Sequence, residues 1–171
     1  METDLLTFID KAKANNKPIA YYTNREDSDV FSVGEVIAYD EDYMLTSEIS
    51  PQGTFDGYSL QRIEAIYRMD TDDSYVNQIY FQYKKDKKVQ LPIDDIISNK
   101  SLLDAIVEYL KIHSDLVSFG LNKIRETDFC GKITECTDEF LIIQIINENK
   151  PSGETIIKKD SVFSIWWGNL D

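Results

Sequence analysis

Apolar residues in this chain follow two rhythms, one returning every three or four positions and one every second position. Leu5, Leu6, Phe8, Ile9 and Ala12 give a broad apolar face at helical spacing. Thr3 is the expected cap. Asp4 and Asp10 stand early and Lys11 and Lys13 late, as the helix dipole favours, and Asn15-Asn16-Lys17-Pro18 stops the helix. Strands are predicted over 19–23, 30–38, 43–49, 58–63 and 65–69, where aromatic and β-branched residues dominate. Asp40-Glu41-Asp42 and the loop Ser50 to Gly57 carry the turn chemistry between them. Gly34, inside the second strand, marks a bulge or bend.

The pattern then recurs. Gly34-Glu35-Val36-Ile37-Ala38-Tyr39-Asp40-Glu41-Asp42-Tyr43-Met44-Leu45 is matched by Gly131-Lys132-Ile133-Thr134-Glu135-Cys136-Thr137-Asp138-Glu139-Phe140-Leu141-Ile142, a displacement of 97 positions from Gly34 to Gly131. The same displacement places Leu5-Leu6 on Leu102-Leu103. After a one-residue deletion it becomes 96, and Gly57 meets Gly153, Leu60 meets Ile156 and Ile66 meets Val162. A tandem organisation follows: residues 1–70 form a helix plus five short strands, residues 71–98 a connection, and residues 99–171 the second helix-plus-strand set. Ser101-Leu102-Leu103-Asp104 opens that second helix with a capping signal.

Within the connection, Val76, Ile79, Tyr80 and Tyr83 fit a helix, with Asp72-Asp73 before it and Lys84-Lys85-Asp86-Lys87-Lys88 behind. A hairpin pairing Ile79, Phe81 and Tyr83 with Val89-Gln90-Leu91 fits nearly as well, and the helix is the reading adopted. Phe140 to Ile146 is apolar without alternation, which predicts a strand covered on both faces where the halves meet. Adjacent Trp166 and Trp167 must point to opposite faces of the last strand, one into the core and one toward a partner or the other half. The expected class is therefore mainly β (α+β), two tandem small β-barrels of helix plus five strands with a connecting helix.

Charge narrows the chemistry. The formal net charge is −13, with 19 acids against 10 bases (−9) over residues 1–97 and 12 against 8 (−4) over residues 98–171. Such a field repels polyanions at long range and steers basic proteins in. No apolar run approaches a membrane span, and Met1-Glu2-Thr3-Asp4 lacks the pattern of a secretory leader, so a cytoplasmic protein without membrane association is expected. Cys130 and Cys136 are too few for a disulfide framework and lack metal-site or redox spacing. They read as strand or core residues. The single histidine, His113, falls at a predicted helix end. No cofactor and no metal are expected.

Gly34-x-Val36-x-x-Tyr39-Asp40-x-x-x-Leu45 resembles the first motif of the Sm-like (LSm) family, and a helix followed by five strongly bent strands resembles that family's barrel. The likeness covers residues 3–70 and, more weakly, 101–168; SH3-like barrels share much of it. Met44 and Leu141 stand where the family carries a base-contacting asparagine. Leu60-Gln61-Arg62-Ile63 and Ile156-Ile157-Lys158-Lys159 replace its Ile-Arg-Gly motif. The resemblance thus implies the fold and not the RNA site.

Three functional classes follow. The favoured one is a non-enzymatic acidic module that binds a protein, including an immunity- or inhibitor-type binder of a basic toxin, or that self-associates. Its candidate contacts are Asp40, Glu41, Asp42, Asp138, Glu139, Trp166 and Trp167. The alternative is an Sm-like RNA-binding protein using Lys84, Lys85, Lys87, Lys88, Lys158 and Lys159. An enzyme or divalent-ion site would rest on paired turn carboxylates, Asp40 with Asp42 and Asp138 with Glu139, which are more simply read as solvated turns.

Overall fold

A computed structural model describes residues 4–83, 91–97, 99–113, 115–123 and 127–168. Helix α1 spans Leu5–Ala14. Its cap is Asp4, whose carboxylate accepts the Thr7 N–H at 2.8 Å; Thr3 lies outside the described residues. The helix ends as Asn16 turns left-handed (φ 51°), a conformation asparagine tolerates, and the Lys17 N–H reaches back to the Ala12 carbonyl. The strands β1 (Pro18–Tyr22), β2 (Ser32–Tyr39), β3 (Tyr43–Ile49) and β4 (Phe55–Arg62) follow. A 3₁₀ turn at Ile63–Ala65 leads into β5 (Arg68–Thr71).

The connection carries the helix, not the hairpin. Helix α2 spans Ser74–Tyr83 because Asp73 accepts the N–H groups of Tyr75 and Val76, while Val76, Ile79, Tyr80 and Tyr83 share one buried stripe. Val89 and Gln90, and Lys84, Lys85, Lys87 and Lys88 of the candidate RNA patch, lie outside the described residues. A short α3 (Ile93–Ile96) precedes α4 (Leu102–His113). Then come β6 (Val117–Gly120), β7 (Phe129–Cys136), β8 (Phe140–Asn147), β9 (Lys150–Lys158), a 3₁₀ turn at Lys159–Ser161 and β10 (Ser164–Trp167).

The chain is α+β and mostly strand. Among the described residues all ten strands belong to one antiparallel sheet, ordered β5-β1-β2-β3-β4-β10-β6-β7-β8-β9. Each half contributes its strands in the order fifth, first, second, third, fourth. β2 and β7 are each eight residues long, and their bulges fall between Val36 and Ala38 and between Ile133 and Glu135, again 97 positions apart. The two 3₁₀ turns, and then β5 and β10, are offset by 96, Ile63 to Lys159 and Arg68 to Ser164.

The halves meet where β4 pairs with β10: Gln61 opposite Ser164, Leu60 opposite Ile165, Ser59 opposite Trp166 and Tyr58 opposite Trp167. This corrects the expectation that Phe140 to Ile146 forms the seam. β8 lies one strand from the far edge, and its Leu141 and Ile143 are buried while Phe140, Ile142 and Ile146 are only partly covered. The largest core runs through the true seam. Tyr43, Leu45, Tyr58 and Leu60 of the first half pack in one cluster with Leu102, Leu103, Ile106 and Leu110 of α4 and with Phe119, Ile165 and Trp167. Helix α1 covers Ile19, Tyr21 and Met44. Helix α2 covers Ala20, Tyr22, Val33 and Ile49, the alternate positions of the same strands.

Candidate functional site

The seven contact residues predicted from sequence fall in the β2–β3 turn, the β7–β8 turn and the last strand. Asp40 is absorbed into the fold. Its Oδ1 accepts the N–H groups of Asp42 (2.9 Å) and Tyr43 (2.8 Å), closing the β2–β3 turn, and its Oδ2 accepts the N–H of Leu102 (2.8 Å), the first residue of α4. Glu41 and Asp42 are exposed beside it. In the β7–β8 turn Thr137 takes the same role, its hydroxyl accepting the Phe140 N–H at 3.0 Å, and Asp138 and Glu139 point to solvent. Trp167 is buried and packs 5.6 Å from the Tyr58 ring. Trp166 is half-buried, its indole N–H donating to the Asp56 carbonyl across the seam at 3.2 Å. The tryptophans thus point to opposite faces, but both serve the β4–β10 junction.

The structure gathers a different set. The β2 strand begins at Ser32, so Val30 and Phe31 fall outside it and are 50% and 36% exposed. They end the loop 24–31, which folds on itself. Asn24 Oδ1 accepts the Glu26 N–H, Asp27 Oδ1 accepts the Asp29 N–H, and the Asp27 carbonyl accepts the Val30 N–H. Phe31 lies 5.1 Å from the Tyr22 ring and 6.1 Å, edge-on, from Tyr75 in the first turn of α2, which is 44% exposed. Tyr67 extends the row at 6.3 Å from Tyr22. The guanidinium groups of Arg25 and Arg68 sit over Tyr67 and Tyr22 at 4.8 and 4.5 Å.

Electrostatics around the row is acidic. Glu26, Asp27 and Asp29 are exposed on the loop, and Asp73 caps α2 next to Tyr75. Arg68 is neutralised by Asp70 through two hydrogen bonds of 3.0 and 2.7 Å, which raise its pKa further. Burial and then Asp70 push the Tyr22 phenol up, so it stays protonated and donates to the same carboxylate at 3.1 Å. The result is a partly exposed apolar and aromatic strip with carboxylates on its loop side. No protein-family model, curated protein or solved structure matches this chain.

The remaining candidate groups have local partners. His113 ends α4, its ring 4.1 Å from Tyr109 and its Nδ1 2.8 Å from the Tyr109 carbonyl. Cys130 and Cys136 are free and half-buried, Cys130 lying 3.3 Å from the Ser118 hydroxyl. Among the described residues no group of three His, Cys, Asp or Glu side chains is placed to hold a metal ion, and no helix is long and apolar enough to cross a membrane.

Sequence reading missed the aromatic strip because it assigned Val30 and Phe31 to a strand. Two signals for it were present: the acids of loop 24–31 act as turn formers, and Tyr75 falls off the buried stripe of α2. A second omission is Glu48, 3% exposed on β3, whose Oε1 accepts from Tyr21 Oη at 2.6 Å and Thr46 Oγ1 at 2.5 Å. That network ties β1 to β3 inside the first half.

Proposed function

We propose that this chain is a non-enzymatic, acidic protein-interaction module that takes a basic protein partner through the strip formed by Val30, Phe31 and Tyr75. The single observation behind this reading is the coincidence of exposed rings with the carboxylates of Glu26, Asp27, Asp29 and Asp73. Exposed aromatics anchored by packing at their base supply contact area at low entropic cost. The rim carboxylates and the net charge of −13 add attraction for a basic surface and accelerate encounter. An immunity- or inhibitor-type role against a basic toxin is one form of this chemistry. The two halves are read here as tandem copies of an Sm-like helix-plus-five-strand barrel. Their equal strand orders, and the matching offsets of their bulges and 3₁₀ turns, support that reading.

The test is a pull-down from native extract at low and high salt with wild-type chain and with a Phe31→Ala, Tyr75→Ala double variant, analysing protein and RNA in each eluate. A basic protein retained by wild type, released by salt and lost with the double variant is the expected result. Retention indifferent to the double variant overturns the proposed surface. RNA as the retained species overturns the class and returns the RNA-binding alternative.

A further inference from the structure

Tyr75 belongs to a second feature besides the strip. Between α2 and the loop joining β3 to β4 lies a cleft of about 440 Å³, walled by Pro51, Gln52, Tyr75, Gln78 and Phe81. That volume falls within the range of ligand-holding clefts, about 300–1,000 Å³. Its walls are set by the fold. The loop is closed by the Ser50 N–H donating to the Thr54 carbonyl at 2.9 Å and the Gly53 N–H donating to the Ser50 carbonyl at 2.8 Å, and the Ser50 and Thr54 hydroxyls meet at 2.8 Å. Gly53 is buried against α2 in the left-handed region, at φ 75°. A Cβ there would sit 2.7 Å from Gln82 Cβ and 2.8 Å from the Ile79 carbonyl oxygen. Loop and helix are pressed together, and the cleft between them is formed in advance of any guest.

Charge sorts itself along α2. The helix begins with the Asp73 carboxylate at its cap, next to the exposed acids Glu26, Asp27 and Asp29 of the loop before β2. Tyr75 follows, and the cleft residues Gln78 and Phe81 come next, Phe81 about 12 Å along the axis from Asp73. The side chains lining the cleft carry no charge. Ile79 and Phe81 are apolar, and Gln52, Gln78 and Gln82 are exposed carboxamides. A charged guest group entering here would lose water with no counter-charge on the walls, whereas an apolar one would gain contact. Each carboxamide offers both donors and an acceptor, which suits the peptide groups on either side of such a guest.

We infer that the cleft seats one apolar side chain of the basic partner, beside a run of lysine or arginine that lies along Asp73 and the acids of loop 24–31. The inference rests on the reading of the strip given above and adds the recognition element to it: a cationic segment followed at short range by an uncharged anchor such as leucine. The two parts differ in their physics. Salt screens the cationic contacts and leaves burial of the anchor in place. The acids speed encounter with any basic protein, and the cleft selects among them by requiring the anchor.

The experiment is a titration of nitrogen-15-labelled full chain with two synthetic peptides, followed by amide chemical shifts at low and high salt. One peptide carries three lysines, two glycines and a leucine; the other has serine in place of the leucine. Both are expected to shift the amides of loop 24–31 and Tyr75, and only the leucine peptide those of Gln52, Gly53, Gln78 and Gln82. The leucine peptide should bind about tenfold tighter or more, a ratio that persists as salt weakens both. Gln78→Trp fills the cleft from an exposed helix position without a change of charge. It should bring the ratio to about one and leave the affinity of the serine peptide unchanged. Equal affinities of the two peptides, with shifts confined to the strip, overturn the cleft inference and leave the strip standing. An advantage of leucine that survives Gln78→Trp overturns it as well. If neither peptide shifts an amide of strip or cleft, both readings fall.

Discussion

The Asp40 carboxylate, in the β2–β3 turn of the first half, accepts the backbone N–H of Leu102, the first residue of α4 in the second half, at 2.8 Å. One side chain thus closes a turn and satisfies a helix N-terminus 62 positions away, with Ser101 accepting the Asp104 N–H beside it. Replacing Asp40 by alanine removes an acceptor from three backbone donors at once. The expected loss is about 1–2 kcal/mol in urea-unfolding free energy, while Glu41→Ala and Asp42→Ala, both exposed, should lie within about 0.5 kcal/mol of wild type. Equal effects at all three positions would contradict the capping role.

Two glycines at matching places are required by strand approach. A Cβ at Gly34 would sit 2.8 Å from the Ser47 carbonyl oxygen, and one at Gly131 would sit 2.5 Å from the Gln144 carbonyl oxygen. Both obstacles are backbone in the neighbouring strand, so the sheet itself must move. Gly34→Ala and Gly131→Ala should each cost about 1–3 kcal/mol, the second more than the first, read as a fall in denaturation midpoint.

The β4–β10 junction and the terminal strand β9 make opposite predictions for equivalent residues. Leu60 is fully buried between Leu45 and Ile165, so Leu60→Ala should cost about 2–5 kcal/mol. Ile156→Ala, at the matching place on β9, should leave the unfolding midpoint of dilute chain nearly unchanged because the side chain is 61% exposed there. Measuring both midpoints at low protein concentration checks the contrast.

High pH should weaken the fold through two tyrosines. Burial pushes the phenols of Tyr43 and Tyr58 up from 10.0 to about 12, at Tyr43 against the opposing pull of Arg62. Below pH 10 both are protonated in folded and unfolded chain alike, and their contribution is fully present. Between pH 10 and about 12 the unfolded chain ionises first, so stability is lost as pH rises through that window. Phenolate absorbance should show these two groups titrating late, and Tyr43→Phe should shallow the fall in stability across the same interval.

Much of this molecule was legible along the chain. The bounds of β3, the stop at Asn15 to Pro18, the helical stripe of Val76, Ile79, Tyr80 and Tyr83, and the turn acids all follow from periodicity and turn chemistry acting over a few residues. The α+β class followed from their sum, and the opposed faces of Trp166 and Trp167 from strand geometry alone. Other properties depend on which surfaces meet across segments far apart in the chain. The pairing of β4 with β10, the capping of α4 by Asp40, the burial of Leu60 against the exposure of Ile156, and the meeting of Phe31 with Tyr75 were decided only in three dimensions. Local side-chain pattern determines what kind of element a segment forms and which face it must bury. The element that buries it is selected by packing among distant segments, and that selection leaves no periodic trace in the chain.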